Sequence, residues 1–432
     1  MRKNRVYIGV IFLFVLLVIV VSCHIAFQNH KEEQRVKESK LPGAEKNAKE
    51  SEGDIRVVLK TNGFREVCHS VVELSSEAGL KLSCGDTEEE AEAGQILTIT
   101  PADERFRSGT IWVESRDETG KITISSLQRG YGTPSYRGKL ELFQTAEGIV
   151  IVNELPLEEY LYAVVPSEMP SSYEPEALKA QAVCARSYAY NQTRDYAYPE
   201  YRAHVDDSTS FQVYGNSAEQ ESTICAVEET CGEKIWYGNQ VATAYYYSTS
   251  CGKSAAITAW GREFDDFNRY LSSIDICNEN GEAYEAALPW YRWTATVPQE
   301  TMSNLIELNT KTEIGTLVSL TITKTGDGGI VQEITAAGTK GKVVVATENK
   351  IRSALGGSGY KIQKQDGTVV DSSALLPSAF FTIEKSGESY IIRGGGYGHG
   401  IGMSQNGANE MAKQGKTYRE ILTTFYTGVS VE

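Results

Sequence analysis

No two of the eight cysteines stand at C-x-x-C spacing, and the interval from Cys225 to Cys231 is too wide for paired metal ligands, which argues against a zinc site. The G-x-x-x-x-G-K-[S/T] phosphate loop is missing although glycine is abundant, so ATP is not an expected ligand. Positive charge is in deficit: 42 Lys and Arg face 57 Asp and Glu, giving a net charge of −15. Such a surface repels DNA and anionic lipid head groups, which excludes nucleic-acid binding. No internal repeat of 20–50 residues is present, so the chain is not a solenoid.

What is present begins with an apolar N-terminus. Arg2, Lys3 and Arg5 precede a run from Tyr7 to Val21 that weaker residues extend to Phe27. A run of about 20 apolar residues crosses a bilayer core, with its leading cations on the cytoplasmic side. Residues 1–27 are therefore expected to be a single-pass anchor with the remainder outside the cell membrane. Val20-Val21-Ser22-Cys23 also resembles a lipobox, which would anchor a lipoprotein at Cys23 on the same face. In an exported chain thiols can pair; Cys68 with Cys84 and Cys251 with Cys277 are the expected disulfides.

Residues 28–53 are polar, mixed in charge and poor in large apolar side chains, and read as a solvated stalk. From Asp54 short β-rich runs (IRVVLK, HSVVEL, ILTIT, TIWVES, KITISS) alternate with turn residues, which predicts a small all-β module over 54–134. Residues 135–432 mix strands and helices. Leu157, Tyr160, Leu161 and Val164 fall on one helical face, with Pro166 as the expected stop, and a second helix starts at Pro175. The expected class is α+β, a mixed helix-and-strand core with a central cleft, preceded by the β module and the membrane helix.

Chemistry concentrates in three places. Glu168 lies in Pro166-Ser167-Glu168-Met169-Pro170, where two prolines restrict the backbone around a carboxylate. Gln181, Arg186 and Ser187 on the second helix cannot share one face at 100° per residue, so only a broad polar flank would present several to a cleft. The segment GGGYGHGIGMSQNG from Gly394 to Gly407 holds seven glycines in fourteen residues. Backbone brought close to a ligand, with His399, Ser404 and Gln405 as hydrogen-bonding side chains, accounts for it best. His204 with Asp206 and Asp207 could hold a cation, although adjacent loop carboxylates are more often solvated.

The stretches YRGKLEL, VNELPLEEYLYAVVPSEMP, EALKAQAVCARSYAY, YYSTSCGKS, ENKIRSALG and GGGYGHGIGMSQNGANEMAKQGKTYREILTTFYTGV, in this order from Tyr136 onward, resemble the family of stage II sporulation protein D (SpoIID) and the amidase enhancer LytB. The resemblance implies a lytic transglycosylase acting on peptide-stripped glycan strands, with Glu168 as the catalytic acid. It places Gln181, Arg186, Ser248, Ser250, His399, Ser404 and Gln405 along the substrate cleft, with Arg186 orienting substrate or loop. The implied partners are peptidoglycan, a cell-wall amidase and other engulfment proteins, with no cofactor. The enhancer branch implies the alternative of a non-catalytic module that stimulates an amidase. Some members bind zinc through a histidine and two cysteines; here HVDDSTSFQVYG keeps His204 without a cysteine, so no zinc is expected. Cys251-Gly252 replaces the two glycines that often follow STS, a change that a Cys251–Cys277 bridge would explain.

Overall fold

The computed structural model of the chain describes residues 53–432. The anchor expected over 1–27, with Cys23, and the stalk over 28–53, apart from its last residue, lie outside the described residues. Among the described residues no helix is long and apolar enough to cross a membrane. Helices and several separate sheets give the α+β class.

The run Ile55–Leu59 is buried at every position and pairs antiparallel with Ile149–Leu155 and parallel with Val205–Asp206. Successive side chains of a strand point to opposite faces. Val57, Ile149 and Ile151 therefore enter one core, while Val58, Val150 and Val152 enter a smaller one behind the sheet with Ala203. A strand covered on both faces reads as an unbroken apolar run, as both of these do. The sheet continues through Lys139–Gln144, Ile111–Ser115, Leu80–Cys84 and Thr87–Ala91. This corrects the boundary expected after residue 134. Strands from both sides of it lie in a single sheet, because Ile55–Leu59 is apolar on both faces and needs the later strands as neighbours.

Seven α-helices lie among the described residues: α1 (Leu157–Glu168), α2 (Pro175–Gln192), α3 (Glu221–Glu229), α4 (Gln299–Thr310), α5 (Glu348–Leu355), α6 (Gln405–Lys413) and α7 (Tyr418–Phe425). A five-stranded sheet centred on Trp293–Pro298 and Ser389–Gly394 builds the C-terminal core. Helix α2 belongs to both cores. Ala182, Ala185 and Ala189 pack with the large sheet, whereas Leu178, Ala180, Val183 and Cys184 pack with the C-terminal core. Its many alanines let elements on both sides approach the helix axis.

Pro166 does not stop α1 as expected; the helix runs on to Glu168. A proline removes one helical N–H, but Ser167 Oγ donates to the Ala163 carbonyl at 2.6 Å and Met169 N–H to Val165 at 2.9 Å. Pro170 then forbids a further turn.

Arg186 is fully buried on α2. Its Nε and Nη2 each lie 2.7 Å from a Glu158 carboxylate oxygen, Nη2 reaches the Val227 carbonyl at 3.1 Å, and Nη1 reaches the Glu233 carbonyl at 3.2 Å. This cation joins α1, α2 and the end of α3. It faces no cleft, which corrects its expected role toward substrate, and Glu158 is its carboxylate partner.

Removing one member of a buried pair strands the other, at a cost of about 3–5 kcal/mol. Arg186→Ala should therefore lose about that much in urea denaturation, and Glu158→Leu combined with Arg186→Met should recover part of it. A single Arg186→Ala variant within about 1 kcal/mol of wild type would show that the pair does not hold these helices together.

Candidate active site

Glu168 closes α1, where the chain turns away at Met169 and Pro170. It is only partly buried, and one carboxylate oxygen accepts the Val213 N–H at 2.6 Å. The Tyr246 hydroxyl donates to the same carboxyl and accepts from Gln212 Nε2 at 3.1 Å, which fixes its direction. Gln212 is in turn held by the Tyr160 hydroxyl at 3.4 Å. Burial pushes the Glu168 carboxyl up to about 7, against the opposing pull of the Val213 and Tyr246 hydrogen bonds. Its position at the negative end of α1 acts in the same direction as burial. A carboxyl of this kind is half protonated at neutral pH and can both give and take a proton there.

From the far side Gln405, first residue of α6, donates to the Glu168 main-chain carbonyl at 3.0 Å and to Gln181 Oε1 at 3.3 Å. The Gln181 amide nitrogen is buried with no protein acceptor. Tyr246–Tyr247 pairs in parallel with Met403–Ser404, which ties the start of α6 to the 246–250 segment. The glycine loop makes this pairing fit: a Cβ on Gly402, at φ +78°, would come within 2.0 Å of the Tyr245 carbonyl oxygen.

A second carboxyl, Glu285, stands behind the site with no exposed surface. It accepts from Ser250 N–H and Ser404 Oγ, both at 2.8 Å, and from Ser250 Oγ. Burial pushes it up to about 7 as well.

With this geometry in view, the comparisons with known proteins are specific. Residues 145–237 match the family model described as stage II sporulation protein, and residues 265–402 match a domain of unknown function (DUF8618). The stage II sporulation protein D of Bacillus subtilis is 29% identical over 333 residues, covering 73% of this chain and 85% of the relative. An uncharacterised protein of Brachyspira hyodysenteriae is 32% identical over 305 residues, 68% of this chain and 72% of its own. The chain belongs to the SpoIID family. The amidase enhancer of Bacillus subtilis is 30% identical over 295 residues, 63% of this chain, but the chain spans only 40% of that protein.

Within this SpoIID fold the expected site residues divide. Glu168, Gln181 and Gln405 come together. Ser250 and Ser404 are buried and spent on Glu285, so they brace the site and do not face a ligand. His399 donates from Nε2 to the Tyr246 carbonyl at 2.9 Å and accepts the Ile401 N–H on Nδ1 at 3.1 Å. Burial lowers it to about 4, so it is a neutral pin between loop and strand. Ser248 is half-buried, and its carbonyl accepts Asn406 N–H at 2.9 Å and Nδ2 at 3.0 Å. Asn406 also accepts the Tyr173 hydroxyl at 2.7 Å, which ties the loop after Glu168 to the same assembly.

Two further expectations are corrected. Cys68, Cys84, Cys251 and Cys277 are thiols. Cys84 donates to the Arg105 carbonyl at 2.7 Å while Cys68 lies against Thr145 on another strand; Cys251 and Cys277 line one cleft without bonding. Asp206 and Asp207 are buried, not solvated: Asp207 is paired with Arg129, and Asp206 accepts from Tyr198 and Ser208. His204 Nδ1 accepts the Arg56 N–H, and its ring stacks on Tyr196. The zinc of some SpoIID proteins does not fit this donor set.

Glu285, Tyr246, Gln212 and Tyr173 were missed. A glutamate 35 positions from one serine and 119 from the other carries no local spacing signal.

A folded-state carboxyl raised from 4.5 to about 7 gives stability that is complete below pH 4.5 and lost as pH rises through 7. Across that window Glu285→Gln should gain on wild type by about 3 kcal/mol between pH 4.5 and 8, measured by denaturant titration. An unchanged difference across the window would show that the carboxyl is not held in this way.

Proposed function

We propose that the protein is a membrane-anchored lytic transglycosylase that cuts peptidoglycan glycan strands, with Glu168 as the general acid and base. The carrying observation is the Glu168 carboxyl, on a residue that is only partly buried, raised to about 7 and aimed by Val213 and Tyr246. Glu285 has no exposed surface and its oxygens are occupied, so the reading uses one carboxyl. Glycosidases that hydrolyse need two, the second to attack C1 or to activate water.

A transglycosylase needs one. Protonated Glu168 gives its proton to the glycosidic oxygen as the C1–O bond breaks. The muramic acid C6 hydroxyl then bonds to C1 and returns its proton to the Glu168 carboxylate. No water is consumed, and the product carries a 1,6-anhydro end. The sporulation names of the relatives and the apolar run at 1–27 support action at the outer face of the membrane, in sporulation or wall remodelling. The relative named amidase enhancer supports the second reading, a glycan-binding module that stimulates a cell-wall amidase.

Mass spectrometry of stripped glycan strands treated with the detergent-solubilised chain separates these readings. Anhydro ends are expected, and Glu168→Gln should lower their rate by about 10²- to 10⁴-fold. Because the acid must start protonated, the first step should slow as pH rises through about 7. Reducing ends, or anhydro ends made at full rate by Glu168→Gln, would overturn the mechanism. No product together with acceleration of an amidase would establish the enhancer instead.

A further inference from the structure

Beside the glycine loop lies a cleft of about 580 Å³ walled by Cys251, Cys277, Tyr291, Arg292, Phe380 and Gly395. None of these residues touches Glu168. Three cations border the cleft, and two are already engaged: Lys253 lies 3.1 Å from Asp275, and Arg393 lies 2.7 Å from Glu384. Arg292 has no carboxylate within ion-pair distance among the described residues. Its guanidinium lies 3.9 Å from the Tyr291 ring centroid, and Nη1 is fixed by the Cys251 and Tyr291 carbonyls at 3.0 and 2.7 Å. Nε and Nη2 make no hydrogen bond within the described residues. They form a planar two-donor fork, the geometry that binds a carboxylate with both oxygens.

The neighbouring chain carries an aromatic pair. Tyr397 is 39% exposed, and its ring lies 4.8 Å from that of Trp290. Its backbone bonds to Thr249 in both directions, at 2.8 and 3.0 Å, and the preceding Gly396 N–H bonds to the Trp290 carbonyl at 2.8 Å. A large ring is thus held in water by a backbone that is pinned on two sides. Aromatic faces of this kind stack on the C–H faces of sugar rings. Both features lie near the proposed catalytic centre. The segment that starts at Tyr246, against Glu168, reaches Thr249 beside Tyr397 and then Cys251 in the cleft wall. Five residues of chain span at most about 17 Å.

We infer that this cleft is a second glycan subsite, in which Arg292 binds the free lactyl carboxylate of an N-acetylmuramic acid residue while Tyr397, backed by Trp290, stacks on an adjoining sugar. The inference rests on the reading of Glu168 as a glycan-directed site and adds the source of its selectivity. A stem peptide turns the lactyl carboxylate into a neutral amide. Arg292 then loses its counter-charge, so the subsite favours stripped strands over peptide-bearing ones.

Binding to the full chain carrying Glu168→Gln, in detergent, tests this without cleavage. Three tetrasaccharides serve as probes: stripped N-acetylglucosamine–N-acetylmuramic acid, the same with stem peptides, and neutral N-acetylglucosamine alone. Adding Arg292→Ala should weaken the stripped probe by about 10- to 100-fold, the range for a hydrogen-bonded charge, and leave the neutral probe unchanged. Arg292→Lys keeps the charge but not the fork and should fall between. Tyr397→Ala should weaken all three alike. An Arg292→Ala protein with native near-ultraviolet circular dichroism that binds stripped strands like its parent would overturn the inference, as would a parent that binds none of the probes. Arg292-dependent binding in a wild-type chain that cuts nothing would sink the catalytic reading and leave the subsite standing.

Discussion

The Arg186–Glu158 pair fixes α1 against α2 at the place where the two cores meet, and the site inherits its geometry from that junction. A buried guanidinium is costly unless its donors are met, and here the carboxylate takes two while the Val227 and Glu233 carbonyls take others. Such a pair adds little net stability compared with apolar packing, but it penalises any other arrangement of the three helices. Glu168 ends the same helix that carries Glu158, ten residues earlier. The carboxyl proposed as the acid is therefore positioned from within the protein, by a buried ion pair.

The same logic separates the two raised carboxyls. Burial drives both Glu168 and Glu285 up to about 7, so pKa alone does not distinguish them. Access does. Glu285 is enclosed and accepts from Ser250 and Ser404, so its oxygens are not offered to a ligand. A hydrogen bond links it to Ser404, the N-cap of α6, whose neighbour Gln405 donates to the Glu168 carbonyl. One carboxyl is fully enclosed and the other belongs to a partly exposed residue, although the two are chemically alike.

Much of this was legible in the chain. The apolar runs at Ile55–Leu59 and Ile149–Leu155, the helical face at Leu157–Val164 and the proline-flanked Glu168 all carry local patterns, and each stands close to where the pattern put it. The orientation of polar side chains was not legible. His399, Ser404, Ser250 and Arg186 are residue types that could serve a ligand or the backbone equally well. What decides is register between segments far apart in the chain, such as Tyr246 opposite Met403. The boundary after residue 134 was misplaced for a related reason: a local run of strands looks complete until its most apolar member is found at the centre of a sheet built partly from later residues.

Net charge poses the remaining physical question. A chain at −15 should repel a glycan whose stripped muramic acids each carry a carboxylate, by the same reasoning that excludes DNA. The two cases differ in charge spacing. Duplex DNA presents a charge about every 1.7 Å of axis, so a binder needs a broad basic face, which this composition cannot supply. A stripped glycan carries one carboxylate per disaccharide. At physiological salt, exposed charges beyond about 8 Å are largely screened, so each carboxylate responds mainly to its immediate surroundings. One arginine without an ion-pair partner among the described residues, held over the Tyr291 ring, can therefore reverse the local sign while the rest of the surface stays acidic. On the proposed reading, the acidic remainder disfavours densely charged polyanions while sparsely charged strands still bind.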